Sequence, residues 1–244
     1  MRFRGEGARV RIVLGMHSEF VDVDGAKSIS GGVAVVVDVM RAYTVAAWAL
    51  AAGAIDIVLV DDIDEAVAIA ARTPRALLFK DGSPDERFDL HNSPRQLLDL
   101  DVTGRRIVQR TTAGTRGAVA ASHADVLFCA SFVCATSTAL GLRALNPFEV
   151  TFVVSGGLDA EEDLACAEFI AASARGESPD AEPFLQRASQ SAAADDLNRG
   201  VDLGYTGVTQ QDVPMCLEID RFDFAMRVQR EHGLLVLSSF SPSR

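Results

Sequence analysis

Val33-Ala34-Val35-Val36-Val37-Asp38-Val39-Met40-Arg41-Ala42-Tyr43-Thr44-Val45-Ala46-Ala47-Trp48-Ala49-Leu50-Ala51-Ala52-Gly53 decides the fold. Residues 33–39 form a near-continuous β-branched run, the pattern of a strand buried on both faces. Residues 43–52 then read as a helix, with Gly53 as its C-terminal cap. A buried strand that feeds at once into a helix is the repeating unit of a layered α/β domain.

The same alternation extends outward from this unit. Toward the C-terminus, strands are predicted at 55–60, 76–79, 105–109, 124–129 and 149–154. Helices are predicted between them: one capped by Asp61 or Asp62 and running to about Arg72, one opened by Ser93-Pro94, one from about Thr115, and one over 132–145. Asp159 is expected to cap a further helix through about Ala174. Toward the N-terminus, residues 9–14 read as a strand. Residues 175–183 form the best candidate linker, followed by a helix near 184–197. Residues 224–237 read as a hairpin that turns at His232-Gly233 and adds antiparallel edge strands. The whole predicts a three-layer α/β/α architecture on a mostly parallel, mixed sheet. It reads as one domain over 1–244, with about 176–244 as the place for a smaller C-terminal lobe.

Composition narrows the function. A net charge of −11 argues against nucleic acid and anionic membrane surfaces, which are bound through clustered Lys and Arg. It leaves room for a small anion, which needs only one local basic or amide-lined pocket. The four cysteines, Cys129, Cys134, Cys166 and Cys216, form no CxxC pair, so neither a disulfide framework nor a zinc site is expected. A reducing cytoplasm is the simplest setting. The N-terminal stretch has no signal-peptide pattern, and no apolar run is long enough to span a bilayer.

Four segments carry candidate chemistry. Asp38 lies near the C-terminal end of a buried strand, where ligands bind in open α/β sheets. A carboxylate there needs a partner or a metal, and Arg41 can neutralise it or reach a phosphate. The loop Thr111-Thr112-Ala113-Gly114-Thr115-Arg116 joins a strand to a helix and offers hydroxyls and amides to an anion. The loop Phe88-Asp89-Leu90-His91-Asn92-Ser93-Pro94 gathers a carboxylate, an imidazole, an amide and a hydroxyl; its bland alternative is an Asx turn that opens a helix. The segment Ser155-Gly156-Gly157-Leu158-Asp159-Ala160-Glu161-Glu162-Asp163 opens a helix with acidic residues. The helix dipole favours them there, and Glu162 and Asp163 can also hold Mg²⁺.

Together, in this order and spacing, these segments resemble the 2-phosphosulfolactate phosphatase family. The matching stretches are VVVDVMRAYTVAAWALAAGA, FDLHNSP, TTAGTRG, ASFVCATSTA, SGGLDAEEDLACAEFI and DLGYTGVTQQDVPMCLEID, over about residues 30–220. The resemblance implies a layered α/β fold. It also implies a Mg²⁺-dependent phosphatase that removes phosphate from 2-phospho-3-sulfolactate, a step toward coenzyme M. On that reading Asp38 ligates the metal or acts as nucleophile, and Glu162 and Asp163 complete the metal shell, with Asp89 as a further candidate ligand. Thr111, Thr112, Gly114 and Thr115 cradle phosphate oxygens, Asn92 and Ser93 help bind the substrate, and Arg41 stabilises charge on the phosphoryl group. The expected partner is a small anionic phosphorylated substrate; a homodimer is the base-rate expectation.

This sequence departs from the family pattern at Lys80-Asp81-Gly82-Ser83-Pro84, His91, Ala113 and Glu168. The departures remove an arginine and an amide donor, which Arg41, Arg110 or Arg116 would have to replace. They keep open a phosphatase for a different phosphorylated carboxylic acid, and a silent homologue that only binds an anion.

Overall fold

The computed structural model describes residues 15–242. The strand read at 9–14 lies outside them. In chain order the elements are β1 (His17–Val21), α1 (Val23–Ala26), β2 (Val33–Val37), α2 (Ala42–Ala51), β3 (Asp56–Val60), α3 (Ile63–Arg72), β4 (Leu77–Lys80) and α4 (Pro94–Leu97). Then come β5 (Arg106–Arg110), α5 (Gly114–Ala120), β6 (Val126–Ala130), a 3₁₀ turn (Phe132–Cys134), α6 (Ala135–Leu145) and β7 (Glu149–Val154). The chain closes with α7 (Glu161–Ala174), α8 (Glu182–Ser189), α9 (Ala192–Asp202), α10 (Asp212–Cys216), β8 (Ala225–Glu231) and β9 (Leu234–Phe240).

Among the described residues nine strands form one mixed sheet in the order β1-β7-β2-β6-β8-β9-β3-β5-β4. β1, β7, β2 and β6 pair in parallel, as do β3, β5 and β4. The expected α/β class is therefore observed. The C-terminal hairpin is also observed, with positive φ at both His232 (49°) and Gly233 (86°), as a tight primed turn requires.

Its expected place at the sheet edge is corrected: β8 and β9 sit in the middle, between β6 and β3. The reason lies in the apolar half of each strand. Met226, Val228, Leu235 and Leu237 are buried, and pairing to β6 and β3 is confined to 226–228 and 235–237. Three successive antiparallel pairings leave β3, β5 and β4 running opposite to β2, β6 and β7.

Helix α2 joins the two halves. Its sequence is apolar on every side, so it is stable only when surrounded. Eight of its ten residues are buried, and six of them share one core cluster with residues from every strand between β2 and β9. A second cluster packs α6 and α7 on the opposite face of β2, β6 and β7. A third packs α3 on β3, β4 and β5. Gln109 of β5 donates to the Ala42 carbonyl at 3.1 Å, and Tyr43 OH donates to the Gly114 carbonyl at 2.7 Å. The turns after β2 and β5, far apart in strand order, thus meet at the start of α2.

Other expectations shift in detail. Helix α7 starts at Glu161, with Ala160 rather than Asp159 at its cap and no side-chain cap bond. The single helix expected near 184–197 is two, α8 and α9, broken at Ser191, whose hydroxyl caps α9. Strand β1 had too few apolar residues to be read. All four cysteines are free and buried. Among the described residues no helix is long and apolar enough to cross a membrane.

Candidate active site

The parallel register aligns Val37 of β2 with Ala130 of β6 and Val154 of β7. The next residues along the three chains are Asp38, Ser131 and Ser155, a polar row at the strands' C-terminal ends. Asp38 is 5% exposed. Its Oδ1 accepts the Ala42 N–H at 2.8 Å, and its Oδ2 lies 3.0 Å from Ser155 Oγ. Asp163, on the first turn of α7, is equally buried. Its Oδ1 accepts the Val39 N–H at 2.7 Å, and its Oδ2 accepts the Gly156 N–H at 3.0 Å. Asp163 therefore ties the turn after β2 to the turn after β7.

Electrostatics here are unfavourable to charge. Burial pushes the Asp38 carboxyl up to about 6, against its hydrogen bonds, and the nearby Asp81 and Glu162 carboxylates push the same way. Burial also raises Asp163, helped by Asp38 and Glu162. Gly114 covers the pair: a Cβ there would stand 2.7 Å from Asp38 Oδ2 and 2.8 Å from Ala42 Cβ. Only a glycine lets the β5–α5 turn approach so closely.

In the threonine loop, read from sequence as an anion cradle, two of the hydroxyls serve the turn itself. Thr111 and Thr115 bond to each other: Thr115 Oγ1 accepts the Thr111 N–H at 2.8 Å, and Thr111 Oγ1 accepts the Thr115 N–H at 3.0 Å. Both are buried, because paired hydroxyls can satisfy the turn's own amides. Thr112 does hold an anion, but an internal one. Its N–H and Oγ1 donate to Asp81 at 2.7 and 2.9 Å, with Arg110 3.5 Å from the same carboxylate.

Arg41 is held by Asp212, a residue that sequence reasoning did not single out. Its Nη1 donates to Asp212 Oδ2 at 2.5 Å and to the Gly207 carbonyl at 2.8 Å. Asp212 is fully buried and also accepts from Ser93 Oγ, Thr209 Oγ1 and the Thr209 and Arg95 N–H groups. The available signal was Asp212-Val213-Pro214, an acid just before a helix proline, like Ser93-Pro94. Ser93 caps α4 as expected and bonds Asp212 as well. Asn92 accepts from Gln109 at 3.3 Å inside the core. Asp89 stands apart: it is exposed, and its carboxylate accepts the Leu78 N–H of edge strand β4 at 2.8 Å. That bond satisfies an edge amide and leaves Asp89 with no bond to the Asp38 cluster.

The donor set fits Mg²⁺ in a restricted way. Among the described residues no three His, Cys, Asp or Glu side chains converge as a metal site. Asp163 spends one lone pair of each oxygen on a backbone amide, and its Oδ2 also lies 3.2 Å from Ser155 Oγ. Asp38 keeps a free lone pair on each oxygen, and Glu162 is buried at 6% exposure. Mg²⁺ needs only one or two carboxylates when substrate oxygens and waters complete its shell. Asp38 and Glu162 are the two carboxylates left for that need, and a cation beside Asp38 would relieve the crowding of negative charge there.

Two cavities flank the cluster. One of about 250 Å³ is lined by Thr112, Ala113, Arg116, Ser155 and Gly156 together with the acids Asp22 and Asp24. The other, about 700 Å³, is lined by Arg41, Gly82, Ser83, His91 and the 204–208 segment. Asp38 lines neither; it lies beneath the turns that line the first and three residues before Arg41 of the second.

The fold and site define an α/β protein with buried carboxylates and a basic side chain gathered at strand ends, the layout of a small-anion enzyme. The family model for 2-phosphosulpholactate phosphatase matches residues 21–231, and the chain belongs to that family. It is 31% identical over 201 residues to a Bacillus subtilis protein named "probable 2-phosphosulfolactate phosphatase", covering 81% of this chain and 87% of that one. A Thermus thermophilus protein of the same name is 35% identical over 67% of this chain and 66% of its own length. One from Gloeobacter violaceus is 36% identical over 55% and 59%.

Proposed function

We propose that the chain is a Mg²⁺-dependent phosphomonoesterase that hydrolyses 2-phospho-3-sulfolactate to sulfolactate and phosphate. The family and the relatives' shared name support the reaction. The observation that carries the site is the buried Asp38 carboxylate at the junction of the three turns after β2, β5 and β7, crowded by acids and short of a cation. Asp38 and Glu162 would hold Mg²⁺, which when bound neutralises charge on the phosphoryl oxygens. Asp163 orients Asp38's turn through Val39 and Gly156. Arg41, clamped at Nη1, keeps its Nη2 and Nε donors for an anion, so it can meet charge that grows on the phosphoryl group. Glycine at 114 lets the covering turn lie on Asp38 and exclude water.

A second reading has its own support. Asp81 fills the Thr112 anion nest, as expected of a homologue tuned to a different phosphorylated acid. The test is phosphate release from phosphosulfolactate, phospholactate and p-nitrophenyl phosphate, with Mg²⁺ and with EDTA. Metal-dependent release that favours the sulfonate supports the first reading. Release that favours another ester selects the second. No release by folded protein overturns both.

A further inference from the structure

The 700 Å³ cavity starts at Arg41, the side chain assigned above to the phosphoryl group, and extends past it to Gly82, Ser83, His91 and the 204–208 segment, which that assignment leaves without a part in phosphoryl transfer. Arg41 is part of the lining, with Nη1 bonded to Asp212 and the Gly207 carbonyl. Lys80 is buried, with its Nζ bonded to the Ser83 carbonyl, and so fixes the Gly82–Pro84 wall. Of the acids nearby, Asp212 is paired with Arg41 and Asp85 with Arg87 at 2.6 Å; Asp196 is itself part of the lining, with the exposed Arg199 3.5 Å from its carboxylate.

His91 is built into this wall. Its Nε2 accepts the Asp85 N–H at 3.3 Å, so the ring proton sits on Nδ1 and remains available to donate. Burial and the neighbouring Lys80 both lower its pKa, which keeps the ring neutral near pH 7. Its Cβ is packed against Gly207, where φ is +82° and a side chain would come within 2.5 Å of it. Gly207 is also the residue whose carbonyl clamps Arg41. One glycine thus sets both groups against a single cavity.

We infer that this cavity seats the acid group of the substrate's organic part, a carboxylate or sulfonate, and that His91 Nδ1–H is a specificity-determining donor to it. This rests on the phosphatase reading above. An ester that lacks the acid group would use only the Asp38 and Arg41 end, while a phosphorylated hydroxy acid would reach both ends.

The test compares His91→Ala and His91→Gln with the unaltered protein. The readout is the ratio of kcat/KM for phosphosulfolactate to that for p-nitrophenyl phosphate. His91→Ala should lower the ratio about tenfold or more, mainly through KM, and His91→Gln, which keeps a donor, should recover most of it. A ratio unmoved by His91→Ala, or one lost equally in both variants, overturns the assignment. If the unaltered protein hydrolyses none of these esters, the phosphatase reading has failed, and the cavity is tested by itself through calorimetric titration with sulfolactate. Binding that His91→Ala weakens about tenfold supports the subsite, and absence of binding overturns it.

Discussion

Ser155 Oγ stands between two buried carboxylates, 3.0 Å from Asp38 Oδ2 and 3.2 Å from Asp163 Oδ2. A hydroxyl has one proton, so it cannot donate to both. Asp163 already accepts two backbone N–H groups, which favour its ionised form. Asp38 depends on Ser155 and one amide to hold its own charge. Ser155→Ala should therefore move the Asp38 titration above its value of about 6. Carboxyl ¹³C shifts would give the midpoint, and the acid limb of kcat/KM should follow it upward. A midpoint that stays in place or falls would refute this role for Ser155.

Asp38 also couples stability to pH. Its carboxyl is raised in the folded protein, to about 6 from an ordinary 3.8. A group raised on folding favours the folded state most when protonated. That stability is fully present below about pH 4 and lost as pH rises through about 6. Metal-free protein should thus lose up to about 3 kcal/mol from this source between pH 4 and 7. Asp38→Asn removes the ionisable group, so it should flatten that slope, raise metal-free stability at pH 7.5 and abolish turnover. Urea melts at several pH values, beside phosphate release, check all three. A variant with near-normal activity would remove Asp38 from the chemistry.

These behaviours were only partly legible in the chain. Asp38 stood out because a carboxylate inside a β-branched run is conspicuous. The strands were legible because a parallel sheet buried on both faces leaves continuous apolar runs. The central place of β8 and β9 was not, since a hairpin with one apolar half looks the same at an edge or in the middle of a sheet. The internal bonds of Thr111 and Thr115 were not legible for a related reason: loop hydroxyls can face a ligand or each other, and spacing does not distinguish the two. Asp212 was hidden because its partners, Arg41 and Ser93, lie 171 and 119 residues away in sequence.

Asp212 should be worth more to the fold than any acid on the surface. It is fully buried and faces an Arg41 side chain that is only 11% exposed. Asp212→Ala strands that guanidinium and frees the 91–95 and 205–209 segments together. Removing one partner of such a pair costs about 3–5 kcal/mol. The Arg41→Ala/Asp212→Ala double variant should be less destabilised than the sum of the singles, because no charge is left alone. Denaturant titration of the four proteins gives the coupling. Additive losses would show that Asp212 acts on the loops and not on Arg41.

Gly114 sets how closely the β5–α5 turn can lie on Asp38. A methyl group there would meet Asp38 Oδ2 at 2.7 Å and Ala42 Cβ at 2.8 Å, and neither is the end of a flexible chain. The turn must move outward, because α2 is packed on all sides and cannot. Gly114→Ala should cost about 1–3 kcal/mol from overpacking. Its larger effect should be on turnover, since water gains entry to a carboxylate that is now 5% exposed and the Tyr43–Gly114 bond is lost with the shift. The Asp38 titration should fall toward an ordinary carboxylate value as solvent reaches it. Such a fall, measured with a loss of kcat, would locate Gly114's role in sealing Asp38. Loss of stability with an unshifted titration would instead confine the glycine to packing against α2.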